Sequence, residues 1–538
     1  MTDIGIIPFS LGRCFFLSLL LMTGLAGCGG GGGGGSNSAS VDDAAWKPGV
    51  FKPASDFQHR CEKPRIGFDP VTRQTYRDRA GSTLTENNWL RSWTHETYLW
   101  YDEVTDRNPA AFDDPLDYFA VLKTEARTPS GTLKDQFHYA EDTAVWQALS
   151  GSGVSAGYGV TWAVIRAAPP REIRVAYTEP GSPATAPGVA LSRGARVLEV
   201  NGVDAVYGNS QAAVDVLNSV LYPGDTGQIA ELVVEDVGAT VSRRVYLTST
   251  LITSTPVQHV KVFSGAGGER VGYLLFNDHI ATAEAQLVGA VDEFAADGVT
   301  QLVLDLRYNG GGLLAIASQL AYMIADSRQT AGQPFYQLRF NDKHPTRNPV
   351  TGEPLAPTPF YNQTLGFSTT AGRSLPRLNL ERVFILTGPN TCSASEAVIN
   401  GLRGVDIEVI QIGAGTCGKP YGFYPTDNCG TTYFTVQFAG VNAKGFGDYS
   451  DGFRPGNNPA DPTTIPGCRV ADDYLHELGN RNEARLAAAL TYIETGSCPA
   501  GTSVGMQKQA RPIEDGYVVK PASLNNAYLL VPDQEVAP

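Results

Sequence analysis

The chain has 538 residues, 42% of them hydrophobic, and its 55 acidic against 41 basic side chains leave a formal net charge of −14. That length exceeds one domain's usual share and predicts two or three separate cores, while the acidic balance argues against nucleic acid or an anionic membrane surface as the main partner. The seven histidines are scattered and CxxC is absent, so no zinc-binding spacing is present, and neither a metal nor an organic cofactor is expected.

Residues 1–28 read as a targeting segment. Arg13 precedes the apolar run Cys14 to Leu21, and Leu25-Ala26-Gly27-Cys28 resembles a bacterial lipobox, in which Cys28 is lipidated and becomes the mature N-terminus. A plain secretory signal is the alternative. The unbroken glycines 29 to 35 open a tether and linker over 29–60. No second apolar stretch approaches membrane-spanning length. The chain is therefore expected to meet the membrane through its N-terminal lipid alone, and glycine after Cys28 points to the outer membrane.

From 61 to 148 the pattern is helical. Leu90, Trp93, Tyr101 and Val104 share one helix face, and a second helix is predicted from Leu116 to Glu125 after the turn Asp113-Asp114-Pro115. The dense aromatics Trp89, Trp93, Tyr98, Trp100 and Tyr101 fit a small helical core, with a ligand-stacking platform as the alternative.

Residues 149–252 form a different unit. GYGVTW (157–162) begins a strand, and TEPGSPATAPGVALSRGARVLEVNG (178–202) resembles the PDZ pattern, with Ala195 where an aspartate often stands. A helix over 210–221 and a strand over 230–235 complete the expected order. PDZ domains hold a peptide's terminal carboxylate on backbone N–H groups and add the peptide as a strand. That resemblance makes Tyr158, Gly159 and Val160 the carboxylate loop, with a spacer that binds nothing as the alternative.

From 253 to 500 strands alternate with helices: 271–276 strand, 282–297 helix, 302–306 strand, 313–325 helix. Such alternation implies a largely parallel sheet with helices on its faces, whose strand-end loops gather on one rim. Three stretches on that rim carry candidate chemistry. QLVLDLRYNGGGLL (301–314) runs a buried strand into Gly310 to Gly312, where backbone N–H groups can approach a substrate oxygen closely. TGPNTCSASEAVINGL (387–402) is a turn from strand to helix that presents Ser393 at a helix N-terminus. Ser393 with Glu396 also fits an ordinary capping box. IGAGTCGKPYGF (412–423) carries Lys419 between a buried strand and a glycine-flanked turn, where dehydration lowers a lysine's pKa and makes it a usable base. His279, just after a strand, is the one histidine able to reach this rim, as a rival base or a substrate contact.

In this order the three segments resemble the C-terminal processing peptidases, also called tail-specific proteases. The resemblance covers roughly residues 85 to 500. It implies Ser393 as nucleophile, Lys419 as general base, and the N–H groups of Ala394 and of Gly311 or Gly312 as oxyanion donors. The implied fold is α/β: a mostly parallel sheet with flanking helices (a ClpP/crotonase-like core), a small N-terminal helical domain and a PDZ-like β-rich domain. Family members often carry Gln where this chain has Phe423 and Asp near Gly404, and the Ser-to-Lys spacing is one residue longer here. GFGDYSDGFRPGN (445–457) resembles the family's returning strand. Residues 471–493 read as an amphipathic terminal helix with solvated charges, and 501–538 as a polar tail.

The resemblance implies a serine endopeptidase acting on polypeptide substrates, here among envelope proteins, with no nucleic acid involved. The competing expectation is a catalytically weak or inactive peptidase fold that acts as a peptide-binding module, and a third is a hydrolase of non-peptide esters. Outside the leader and Cys28, six cysteines allow fifteen pairings in an oxidising compartment. Cys417 with Cys429 reads as a bridged hairpin and Cys468 with Cys498 as a staple. Cys392 reads as a packing residue or a disulfide partner rather than a nucleophile.

Overall fold

The computed structural model describes residues 46–265, 267–500, 515, 517 and 518. Met1–Trp46 and Lys47–Pro538 separate as two units. The leader, Cys28 and the glycine run 29–35 lie outside the described residues, as does nearly all of the 501–538 tail. Among the described residues no helix is long and apolar enough to cross a membrane.

Helix Thr83–Thr97 starts at a reciprocal cap in which the Ser82 hydroxyl accepts from the Thr85 N–H and the Thr85 hydroxyl accepts from the Ser82 N–H. It does not continue to Val104 as its apolar spacing predicts. Tyr98 turns extended, its hydroxyl donates to the buried Asp135 carboxylate, and the Leu99 N–H leaves to bond Val436 O. Tyr101–Glu103 is a separate 3-10 turn. The second helix also stops early, spanning Pro115–Ala120 behind an Asp114 cap. Trp89, Trp93, Tyr118 and Phe119 pack around Tyr433, so these rings form a core rather than an open stacking platform. Trp100 stands apart, edge-on to Tyr421.

The middle of the chain builds a sheet in the order Arg243–Thr248, Ile229–Glu235, Arg196–Val200, Glu172–Thr178, Val160–Arg166, Tyr517–Val518, all pairs antiparallel. Helix Gln211–Leu221, capped by Ser210, buries Leu217 and Leu221 against Trp162, Val175 and Val197.

The central sheet runs Val257–Ser264, Arg270–Phe276, Gln301–Asp305, Arg382–Thr387, Glu408–Gly413, Gly467–Arg469. The first pair is antiparallel and the other four are parallel. Side chains alternate across it. Leu274, Leu304 and Ile385 face helices Ala283–Ala296, Leu314–Ile324 and Ala394–Gly404, while Tyr273, Val303 and Phe384 face helix Ala484–Thr495. The expectation of a mostly parallel sheet over residues 253–500 needs correction, since strands 334–339, 421–422 and 438–441 of that region pair antiparallel. Outside the central sheet the larger sheets are antiparallel, while three of the four parallel pairs within it are connected through a crossover helix.

The 471–493 reading also needs correction. The helix is Ala484–Thr495, Glu483 and Arg485 are buried, and the Asp472 side chain is 2% exposed rather than solvated. Arg307 binds Asp305, Asp472 and Glu483, and Arg193 reaches the same Asp472 oxygen at 2.7 Å. Burial opposes ionisation of Asp472, but Arg193, Arg307 and Arg485 prevail and hold its carboxyl well below the usual carboxylate range. Asp472→Asn leaves buried guanidinium groups short of a partner and is expected to cost about 3–5 kcal/mol at neutral pH. Because the folded-state pKa is depressed, this contribution is present above about pH 4, the unfolded value, and fades as pH falls below it. Urea unfolding of both proteins at pH 7 and pH 4 checks this, and equal midpoints at pH 7 would refute it.

The disulfides are Cys61–Cys429, Cys392–Cys417 and Cys468–Cys498. The last is the staple read from the sequence. Cys417–Cys429 does not form, because hairpin Thr426–Asn428/Thr431–Phe434 pairs with Tyr139–Asp142 and carries Cys429 to the N-terminal region. Cys417 instead lies along the 391–393 turn, its N–H donating to Thr391 O.

Candidate active site

Strand Gln301–Asp305 delivers Asn309 and the glycines into a fully buried turn. Asn309 Nδ2 donates to Phe276 O, which fixes the amide so that Oδ1 accepts from the Gly311 N–H at 2.9 Å and from His279 Nδ1 at 2.9 Å. Gly311 has φ +102° and Gly312 φ +131°, where side-chain-bearing residues are strained. A Cβ on Gly311 would stand 2.9 Å from Ala394 N, and one on Gly312 would stand 2.4 Å from His279 O. The first glycine brings its turn against the residues around Ser393, and the second lets the turn pair with His279.

Ser393 ends the neighbouring turn at φ 59°, ψ −111°, a region almost closed to non-glycine residues. Its hydroxyl is buried and has no hydrogen-bond partner. Glu396 reaches back to the Ser393 N–H at 2.9 Å, and the serine oxygen faces the Glu396 N–H in capping-box fashion without a hydrogen bond of full geometry. The strained backbone is held by Cys392 N–H on Asn309 O, Ser395 Oγ on Asn309 O, and the Cys392–Cys417 disulfide. Among the described residues the amides of Gly312 and Ala394 donate to no protein group, whereas the Gly311 amide is committed to Asn309.

Lys419 arrives from strand Glu408–Gly413 through Gly418, whose φ of +85° lets the chain pass the 450–452 turn. It is 1% exposed. Burial pushes the amine well below its ordinary value, against the opposing charges of Asp135 and Glu396. Rings of Phe423 and Phe137 lie 4.4 and 4.7 Å from Nζ.

Glu396 joins the two turns. Its Oε2 accepts from the Ser393 N–H and, at 2.8 Å, from the Lys419 N–H, while Oε1 accepts from the Gly418 N–H and Thr416 Oγ1. Burial raises its pKa, and these donors, with Thr416 the strongest, offset only part of that rise. Sequence reasoning named Glu396 only as a cap and missed this bridging role. The signal available was a carboxylate three residues after the serine, followed by the apolar run Ala397-Val398-Ile399. Residues 393 and 419 thus share one carboxylate oxygen through their backbones, and Cys392 and Cys417 lock the same turns at a Cα separation of 5.2 Å. His279 is placed otherwise than as a free base. Its main chain pairs along the glycine turn, with its N–H on Gly311 O and Leu313 N–H on its carbonyl, and its ring nitrogen lies on Asn309.

Residues 270–426 match Peptidase family S41, and residues 85–137 match the Peptidase S41 N-terminal domain. The chain carries a peptidase family S41 domain. Its S41 relatives include the carboxyl-terminal-processing protease of Picosynechococcus sp., 28% identical over 177 residues (33% of this chain, 40% of that protein). The chloroplastic C-terminal processing peptidase of Tetradesmus obliquus is 29% identical over 251 residues (44% and 49%). The matched region thus spans half or less of each relative. A solved structure from Bacteroides fragilis NCTC 9343, assigned to the S41 proteases, aligns with TM-score 0.56 at 25% identity, covering 76% of this chain and 97% of that one.

Two of the three departures from the family pattern, at Gly404 and Phe423, have visible local surroundings. A Cβ on Gly404 would meet Asn442 Cβ at 2.8 Å, so Asn442, bonded to Asn400, fills the space of the missing aspartate. Phe423 is fully buried beside the lysine. The loop Tyr158-Gly159-Val160 borders a cavity of about 350 Å³ lined also by Tyr177, Leu221 and Ile252. Gly159 has φ +74° and packs against Ser182, where a Cβ would not fit.

Proposed function

We propose that this protein is an exported serine endopeptidase in which Ser393 is the nucleophile and Lys419 its base. The observation that carries this reading is the shared Glu396 bond to the two backbones beside an unpartnered Ser393 hydroxyl. Neutral Lys419 removes the Ser393 proton as Oγ attacks the peptide carbonyl carbon. The resulting oxyanion accepts from the Gly312 and Ala394 N–H groups, the latter at a helix N-terminus. Lys419 then gives its proton to the departing amine. It next takes one from water as the water oxygen attacks the ester, and returns that proton to Ser393 Oγ as the C–Oγ bond breaks, which frees the second product and restores both residues. The base must be neutral, so acylation rises with pH through the lysine's lowered pKa and then levels off.

Substrates are polypeptides of the cell envelope, engaged through the PDZ-like unit, with the loop at 158–160 taking the terminal carboxylate and helix Gln211–Leu221 bordering the groove. Strand Tyr517–Val518 already pairs with Val164 and Ala163 on the edge that such a peptide would extend. A ligand strand therefore either stops at residues 160–162 or displaces it. Lipid anchoring at Cys28, to an outer membrane, rests on the leader sequence. Phe423 in place of glutamine favours a second reading, a peptide-binding module without catalysis. Incubation of wild type and Ser393→Ala with an unfolded protein separates the two: cleavage by wild type alone supports the peptidase, and equal inertness with retained peptide binding supports the module.

A further inference from the structure

In the N-terminal region, outside the sheet that carries the serine and lysine turns, the segment Asp135 to Phe137 reaches the amine of Lys419. The Phe137 ring lies 4.7 Å from Nζ on one side and the fully buried Phe423 ring 4.4 Å on another. Phe137 itself is only half-buried, so it covers the lysine on the solvent side. Its place is fixed by Asp135, fully buried, whose Oδ1 accepts from the Phe137 N–H at 2.9 Å and whose Oδ2 accepts from the Tyr98 hydroxyl at 2.7 Å. Tyr98 Oη in turn accepts from the Thr124 N–H. The early end of helix Thr83–Thr97 is what frees Tyr98 to make this chain of contacts.

We propose that Phe137, Phe423 and Asp135 are the positioning residues of the base, so that the N-terminal domain completes the catalytic site. The proposal rests on the reading of Lys419 as base. Two rings against a primary amine restrict its rotamers and exclude water, which a glutamine could do only by a directed hydrogen bond. Rings alone favour the ammonium weakly, and the larger effect of enclosing it is lost hydration, which favours the neutral amine. Asp135 works the other way: with Glu396 it is one of the charges acting on Lys419, and it favours the ammonium. The neighbouring His138, pushed down to about 4 by burial, stays neutral at physiological pH and adds no charge. The Tyr98 phenol is neutral as well, burial raising its pKa far above the ordinary value. Cover and counter-charge thus set the amine's protonation from a segment outside the sheet that carries the serine.

The test is the pH dependence of Ser393 acylation by a fluorophosphonate probe in the full chain. Phe137→Ala admits water to Nζ and is expected to move the profile to higher pH, with a rate about tenfold lower near neutrality for each unit of displacement and recovered above it. Phe137→Leu, which keeps the cover, is expected to stay within about twofold of wild type at every pH. Asp135→Asn is expected to move the profile to lower pH. Opposite displacements are not a property of loosened packing, which lowers the plateau without moving the midpoint. Labelled wild type with both midpoints unmoved, or moved in the same direction, overturns the proposal alone. Wild type unlabelled at every pH overturns the Ser/Lys reading and the proposal with it.

Discussion

Lys419→Met is expected to abolish proteolysis and at the same time to make the protein more stable. Loss of the base removes the proton acceptor from a serine whose hydroxyl has no hydrogen-bond partner, so the rate of acylation should fall by about 10³-fold or more, within the range of general-base contributions. The stability gain follows from linkage. Burial pushes the lysine's folded-state pKa well below its ordinary value, so between that lowered value and about 10.4 the unfolded chain binds a proton that the folded chain does not. Over that window wild-type stability rises with pH, by up to about 1.4 kcal/mol per unit. Methionine fits between the Phe137 and Phe423 rings and carries no such penalty, so the variant should gain on the order of 1–3 kcal/mol at pH 7. The advantage should shrink as pH rises towards 10. Melting temperatures of both proteins from pH 6 to 10 check this, and a variant less stable than wild type throughout would contradict a buried, neutral amine.

Glu396→Gln should be nearly as damaging to activity, for a geometric reason. The carboxylate accepts from four donors, the N–H groups of Ser393, Gly418 and Lys419 and the Thr416 hydroxyl. A carboxamide offers one accepting oxygen and turns its NH2 towards donors on the other side. Two turns that now share one partner would separate, and a displacement of about 1 Å at reacting atoms costs on the order of 10²-fold in rate. Activity is therefore expected to fall by about 10²-fold or more, with a stability loss of roughly 2–4 kcal/mol from buried N–H groups left unmet. Titration with a serine probe beside thermal unfolding gives both numbers, and a variant within a fewfold of wild-type activity would remove Glu396 from its bridging role. The Cys392–Cys417 disulfide spans the same gap, so any residual activity of Glu396→Gln should vanish when that bond is reduced.

The sheet and its helices were legible because their signals are local. Val383 to Leu386 and Leu302 to Leu306 are apolar runs bounded by turn residues, and the helices between them keep an unbroken apolar face, so predicted and observed boundaries differ by a residue or so. The serine turn was legible for the same reason. What the sequence concealed were contacts whose partners lie far along the chain. Tyr98 leaves its helix for Asp135, which periodicity cannot register. The charges at 472 and 483 look solvated until Arg307 and Arg193 arrive from elsewhere, and Arg485 until Asp515 does. Of the two cysteine pairings, Cys468–Cys498 forms but Cys417–Cys429 does not, since proximity in sequence favoured 417 with 429 while the hairpin carried 429 to Cys61. Phe423 read as a loss, but beside Phe137 it takes part in enclosing the lysine.

The most direct test is intact-mass analysis, with peptide mapping, of wild type and Lys419→Met after exposure to a serine-reactive probe. A single adduct on Ser393 in wild type and none in Lys419→Met is the predicted result. An adduct on another residue, or equal labelling of Ser393 in both proteins, would contradict the pairing of this hydroxyl with this amine.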